Sequence, residues 1–114
     1  MKQILAFIHR EKLNLVIAAM EQQEVGGISV LPSQGRGKGE RPMIGDPRGT
    51  GKHLAQFNSL DAVLTVVDDS KVDAVSTAIA NAASTGSKGD GKIFVSTIDD
   101  VMDIGSKMKG ASAL

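Results

Sequence analysis

The chain has 114 residues, which is enough for one hydrophobic core and too few for two. Thirteen basic residues balance thirteen acidic ones, so no overall charge would draw the protein onto nucleic acid or an anionic membrane. The absence of cysteine excludes disulfides, thiolate metal ligands and a cysteine nucleophile. The apolar run at residues 4–8 is too short to span a bilayer or to act as a signal segment. We therefore predict a single cytoplasmic domain over residues 1–114, with no membrane insertion and no nucleic-acid partner.

The first elements along the chain are a strand, a helix and a second strand. Residues 3–9 are mostly apolar, as in a strand that is buried on both faces. Residues 11–23 place apolar side chains at helical spacing, which predicts an amphipathic helix. After two glycines, residues 28–31 predict a second strand, which should end at Pro32 because proline interrupts a strand ladder.

The segment 35–56 differs in kind from what precedes it. It contains six of the thirteen glycines and two of the three prolines, and it has almost no hydrophobic periodicity. Loops of this length inside a compact domain are usually functional or disordered. The composition predicts a flexible loop between two strands.

Regular structure is predicted again in the second half. Residues 60–67 predict a third strand, and Ser70 with Asp73 three residues later resembles a cap that opens a second helix. The turn at 84–91 leads into a fourth strand at 92–96. Residues 97–104 predict a short strand or a helical turn, followed by a tail of small residues from Gly105. The apolar stripe of the second helix is Val72, Val75, Ile79 and Ala82.

Two halves of strand, helix and strand, joined by a long loop, predict a ferredoxin-like α+β fold of order βαββαβ. Right-handed crossovers place both helices on one face of a four-stranded antiparallel sheet and leave the other face bare. We expect the bare face to carry Val63 and Val67, and to be covered by oligomerisation.

The string TGSKGDGKIFVS at 85–96 resembles the second signature of the PII nitrogen-regulatory proteins. GDGKIFV is the specific part of this match. The resemblance extends to the opening strand and helix, to VGGISV at 25–30 and to GRGKG at 35–39, so it covers nearly the whole chain. It implies a homotrimer that binds adenine nucleotide (ATP, ADP or AMP) in clefts between subunits. It also implies that the loop 35–56 docks onto a transporter or a metabolic enzyme, and that the protein is not an enzyme itself.

The resemblance also implies a set of site residues. Glycines let backbone amides approach phosphate and lysines supply positive charge, while two further residues would lie near the base. Magnesium is a candidate companion of the nucleotide. The implied nucleotide-binding residues are Ser29, Gly35, Gly37, Lys38, Val66, Gly89, Asp90, Gly91 and Lys92, and the implied partner-binding residues are Arg41, Met43, Ile44, Arg48, Lys52 and His53.

The chain departs from the family pattern at several positions. It has no tyrosine, which excludes switching by uridylylation of a loop tyrosine. Leu60 and Gly39 stand where the family has the lysine and glutamine that serve 2-oxoglutarate, which argues against sensing of that acid in the usual manner. Asp103 and Gly105 replace two phosphate-clamping arginines, so nucleotide affinity should fall unless other cations substitute. The candidates are Arg36, Arg41, Lys107 and Lys109.

Other readings of the sequence are weaker. GDPRGTGKH at 45–53 lacks the spacing, the hydroxyl residue and the helix of a phosphate-binding P-loop. His9 and His53 share no face, and the acids at 99–103 are typical of a solvated surface. Three phenylalanines do not supply the stacking platform of an RNA-recognition domain. The alternative function is a nucleotide-independent trimeric adaptor, or a regulator that responds to a metal or small anion, using the loop only for docking.

Overall fold

The structure is a computed structural model, and it describes residues 1–37, 43–45, 52–54 and 57–114, with the two short central stretches described by their backbone alone. Short 3-10 turns at Arg10–Lys12 and Asp69–Lys71 lead into the two helices. The strands and helices are β1 (Lys2–His9), α1 (Leu13–Gln22), β2 (Ser29–Gly35), β3 (Met43–Gly45), β4 (Lys52–Leu54), β5 (Asn58–Val67), α2 (Val72–Ala83) and β6 (Gly91–Thr97).

The main sheet has four strands in the order β2-β5-β1-β6, and every neighbouring pair is antiparallel. Residues of both helices share one apolar cluster with residues of β1 and β5, so both helices lie on the same face of the sheet. The predicted ferredoxin-like fold is confirmed. The buried members of this cluster are Ile4, Ala6, Ile8, Val16, Met20, Val63, Val67, Val75, Ile79 and Ala83.

The prediction that Val63 and Val67 lie on the bare face of the sheet is wrong. Val63 is fully buried and Val67 is 3% exposed, and both belong to the core beneath the helices. Val63 lies opposite Ala6 of β1, which is also a core residue. Side chains of a strand alternate between faces, so an error of one residue in assigning the inward set exchanges the two faces.

The face away from the helices, called here the open face, carries the other alternating set. Leu64 lies opposite Leu5, and Phe94 continues that row from the far side of β1. The rings of Phe7 and Phe94 meet edge to face, with centroids 6.1 Å apart. Leu31 and Phe94 are each about half exposed. The apolar residues of the open face are Leu5, Phe7, Leu31, Leu60, Ala62, Leu64, Val66 and Phe94.

Two element boundaries differ from the sequence prediction. β2 does not end at Pro32 but continues to Gly35, which an edge strand tolerates because one side of its backbone needs no partner. The turn before α2 is capped by Asp68 and not by Ser70. The Asp68 carboxylate accepts hydrogen bonds from the Ser70 amide at 3.0 Å and the Ser70 hydroxyl at 2.7 Å. Ser70 is therefore a donor in this cap.

The loop 35–56 contains regular structure that its composition did not predict. β3 and β4 pair as an antiparallel hairpin, with Ile44 opposite His53. The predicted flexibility of the loop concerns segments that lie mainly outside the described residues.

The chain beyond β6 is more ordered than a tail of small residues suggests. Met102 and Lys109 form an antiparallel bridge, and the Asp103 amide donates to the Met108 carbonyl at 2.8 Å. Of the helices in the described parts of the chain, none has the length and hydropathy to cross a membrane.

Candidate functional site

The two glycine-containing segments of the predicted site lie at the same end of the sheet. Gly35 ends β2 opposite Asn58, at the start of β5, and Gly91 begins β6 opposite Ile8, near the end of β1. We call this the loop end of the sheet. Because β5 and β1 lie between β2 and β6, the two segments are separated across the sheet by three strand spacings, or about 14 Å. They flank the loop end without touching.

The turn before β6 is held by the Asp90 side chain. Its carboxylate accepts hydrogen bonds from the Thr85 amide at 2.8 Å and from the Thr85 hydroxyl at 2.6 Å. These bonds, the hydroxyl one first, lower the pKa of Asp90 below its ordinary value. The Gly86 amide donates to the Ser84 hydroxyl at 3.2 Å. Asp90 therefore fixes the shape of the turn, and both of its oxygens are engaged within it.

Gly91 is required by the close approach of β6 to β1. Its φ is +125°, and an ideal Cβ at this position would lie 1.9 Å from the Phe7 carbonyl oxygen. Side chains larger than hydrogen cannot fit there without displacing backbone. Gly89 also has a positive φ of 88°. The turn is thus built on conformations that favour glycine, and it delivers Lys92 to the open face directly opposite Phe7, where the lysine is exposed.

At the other edge, the end of β2 packs closely against β5. An ideal Cβ at Gly35 would lie 2.6 Å from a methyl carbon of Leu60, so the leucine fills the space beside this glycine. Gly37 has no heavy atom within 4 Å of the same ideal position. The backbone of this segment therefore packs against Leu60 at half-buried Gly35 and borders open space at Gly37.

Ser29 and Val66 lie far from these glycines. Ser29 starts β2 opposite Leu64, and Val66 lies opposite Gln3 near the start of β1. Ser29 and Gly35 are the two ends of β2, six residue steps apart, a distance of roughly 20 Å. A single chain therefore does not bring the whole predicted set together.

The remaining predicted residues belong to the loop. Lys38, Arg41 and Arg48 lie outside the described residues. Met43 and Ile44 lie in β3, while Lys52 and His53 lie in β4, so the hairpin brings these four backbone positions together.

Asp103, one of the two residues predicted to replace phosphate-clamping arginines, is part of a turn. Its carboxylate accepts hydrogen bonds from the Ser106 amide at 2.9 Å and the Ser106 hydroxyl at 2.8 Å. These bonds, that of the amide first, lower the pKa of Asp103. The aspartate therefore has a structural role in the hairpin beyond β6. In the described ranges, no three acidic or histidine side chains are grouped so that they could hold a metal ion.

Two contacts at the loop end were not predicted from the sequence. The Arg10 guanidinium lies 3.8 Å from the carboxylate of buried Asp61 and donates to the Leu60 carbonyl at 3.4 Å. The Arg36 guanidinium lies over the Phe57 ring, 5.8 Å from its centroid. Arg36 and Phe57 occupy matching places beside the loop, one after β2 and one before β5, and that symmetry is the signal that could have identified the second contact.

Comparison with known proteins settles the family. A family model described as nitrogen regulatory protein P-II matches residues 1–107. The chain belongs to the P-II family. A nitrogen regulatory protein P-II of Rhizobium meliloti (strain 1021) is 37% identical to it over 116 aligned positions, which cover both chains completely. Nitrogen regulatory protein P-II 2 of Methanothermobacter thermautotrophicus is 35% identical over 114 positions, covering all of this chain and 97% of that protein. The predicted family is confirmed, and the P-II chain described here is a regulatory signalling protein and not an enzyme.

Proposed function

We propose that this P-II protein is a cytoplasmic homotrimer that binds adenine nucleotide in clefts between subunits and regulates a transporter or metabolic enzyme through the loop 35–56. The observation that carries the nucleotide part is the turn before β6. Its shape is fixed by the Asp90–Thr85 hydrogen bonds and by glycines with positive φ. Backbone amides in such turns bind anions well, and the exposed Lys92 adds a positive charge beside them.

The trimer part rests on the open face. This face is apolar and neither helix covers it, and an uncovered apolar patch on a sheet favours association. Association of open faces would also let one subunit supply Ser29 and Val66 to the glycine segments of its neighbour. This supports a site completed by two subunits, because those residues are about 20 Å apart in one chain.

The position of Leu60 supports nucleotide, and not 2-oxoglutarate, as the effector. Its side chain packs beside Gly35 and is 9% exposed. A dicarboxylate at the loop end would meet a hydrocarbon surface there and not an ammonium group, and burying an unpaired carboxylate against hydrocarbon is costly. The proposed effector is therefore the nucleotide, with Mg²⁺ as its companion, and not 2-oxoglutarate.

Titration calorimetry with ATP, ADP and AMP tests the proposal. We expect saturable binding of at least one nucleotide, with up to one site per subunit, and weaker binding to a Lys92→Gln variant. The matched control is Lys71→Gln, because Lys71 is exposed and its ammonium donates to the Glu24 carbonyl after α1, on the helix side of the sheet and not on the open face. Absence of heat with all three nucleotides at millimolar concentration would refute nucleotide binding and leave the fold unaffected.

A second candidate function is a trimeric adaptor that docks through the loop without nucleotide. The observation that favours it is the hydrogen bonding of Asp103 with Ser106, at a position where the family resemblance implies a phosphate-clamping arginine. Capture of a partner by the full chain but not by a chain lacking residues 39–55, equally with and without ATP, would support the adaptor over the nucleotide-dependent regulator.

A further inference from the structure

Arg36 and Phe57 continue the pairing of β2 with β5 beyond the last backbone ladder pair. That last pair is Gly35 opposite Asn58, so Arg36 and Phe57 are the next residues on the two strands. The guanidinium carbon of Arg36 lies 5.8 Å from the centroid of the Phe57 ring, which is within the range of a cation–π contact. Side chains therefore join the two strands where the backbone ladder ends.

This contact is placed inside the glycine segment of the proposed nucleotide site. Arg36 lies between Gly35 and Gly37. Gly35 packs against the Leu60 side chain, whereas Gly37 has no heavy atom within 4 Å of its ideal Cβ position. Glycine backbone has a large entropy to lose when it becomes ordered. A side chain that ties this segment to β5 reduces the entropy that remains to be lost when phosphate binds to its amides.

We propose that Arg36 and Phe57 are a positioning pair for the nucleotide site. The guanidinium lies over the ring, and this contact holds the backbone of residues 35–37 in the conformation whose amides receive phosphate. This inference rests on the proposed function. It differs from a direct role of the Arg36 charge, because it requires the Phe57 ring as well as the guanidinium.

The two roles make different predictions for substitutions. Phe57→Leu keeps the Arg36 charge and a side chain of similar apolar character, but it removes the π face. An exposed cation–π contact contributes enough to change a binding constant about two- to fivefold. Positioning therefore predicts that Phe57→Leu and Arg36→Gln each weaken nucleotide binding by about two- to fivefold. A direct charge role predicts weakening by Arg36→Gln alone.

Thermodynamic linkage between the contact and nucleotide binding gives a second measurement, which does not require binding constants to be compared. If the contact favours nucleotide binding, nucleotide must favour the contact by the same factor. The chain has no tryptophan and no tyrosine, so Phe57→Trp gives a protein whose indole emission comes from this position alone. We expect ATP to change that emission, and we expect no change when Arg36→Gln is added to the Phe57→Trp variant.

The experiment combines calorimetry with ATP, ADP and AMP and tryptophan fluorescence on the full chain. The control is Leu15→Ala, which alters an apolar side chain of similar exposure on α1, 57% against 52% for Phe57. Binding by the wild type, with weaker binding by Phe57→Leu and Arg36→Gln and unchanged binding by Leu15→Ala, supports the positioning pair. Binding by the wild type with equal affinity in Phe57→Leu overturns this inference alone. No binding by the wild type overturns the proposed function and this inference together. Arg36→Gln with Phe57→Trp keeps the test decisive if Phe57→Leu does not fold.

Discussion

Replacement of Gly91 by alanine should destabilise the protein more than any other substitution of glycine by alanine in the same turn. Two physical causes act together at this position. Its φ of +125° is one that residues with a Cβ rarely adopt, and the added carbon would lie 1.9 Å from the Phe7 carbonyl oxygen. The strain of such a backbone conformation costs on the order of 1–3 kcal/mol. Relief of the clash requires β6 to move away from β1, with loss of ladder hydrogen bonds.

Two other glycines separate these causes. Gly86 has a φ of +83° and no neighbour within 4 Å of its ideal Cβ, so Gly86→Ala measures conformational strain alone, at about 1–2 kcal/mol. Gly27 has neither a positive φ nor a close neighbour, so Gly27→Ala should change stability little or raise it slightly. Gly91→Ala should exceed Gly86→Ala and cost about 3 kcal/mol or more.

Urea denaturation followed by circular dichroism, at one fixed protein concentration, measures all three variants. The loss of stability should be smallest for Gly27→Ala, larger for Gly86→Ala and largest for Gly91→Ala. Equal losses for Gly86→Ala and Gly91→Ala would show that β6 does not approach β1 as closely as described, and would refute the reasoning.

The remaining predictions concern acid stability, the core and the open face. Hydrogen bonds lower the pKa of Asp90 in the folded protein below the value near 3.8 that it has in the unfolded chain. The ionised Asp90 therefore stabilises the fold above about pH 4, and this stabilisation is lost as the pH falls through the pKa of the folded state. Urea midpoints should therefore decline below about pH 4, and less steeply in Asp90→Asn; identical slopes would contradict this. Val63→Ala should lower the free energy of unfolding by about 2 kcal/mol because Val63 is fully buried beneath the helices. Val66→Ala should act mainly on oligomerisation. A larger loss of folding stability in Val66→Ala than in Val63→Ala would contradict the register of β5 against β1. Leu31→Lys on the open face should reduce the mass measured by sedimentation equilibrium, while Leu15→Lys on α1 should not; a trimer that survives Leu31→Lys would exclude association through this face.

The order of elements was accessible from the sequence because each element has its own period. Residues of β1 are apolar almost throughout, those of α1 recur at helical spacing, and glycines separate the two kinds of pattern. The strand order of the sheet then follows from handedness and short connections. These signals are local, and they are confirmed in the structure.

The face assignment of β5 was not accessible in the same way. The set of β5 side chains that faces the helices includes the polar residues Asp61 and Thr65, whereas the opposite set is wholly apolar, so polarity alone indicates the wrong face. Only the pairing with β1, which places Val63 opposite Ala6, decides the question. The cap was missed for a related reason, since Asp68, Asp69 and Ser70 are all good capping residues in succession.

The candidate site was predictable in part. The glycine segment after β2 and the turn before β6 were identified from the sequence, and the structure places them at one end of the sheet. The contact of Arg36 with Phe57 was not identified because it depends on the pairing of β2 with β5. The hydrogen bonds of Asp90 with Thr85 are local, but they require the particular shape of the turn. The separation of the segments across the sheet, about 14 Å, could be inferred only once the strand order was known.

Calorimetric titration of the wild-type chain with ATP, ADP and AMP, beside Lys92→Gln and Lys71→Gln, tests the central claim most directly. We expect saturable binding to the wild type, weaker binding to Lys92→Gln and unchanged binding to Lys71→Gln. Equal binding to all three proteins would place the nucleotide away from the turn before β6, and no binding to the wild type would contradict the claim outright.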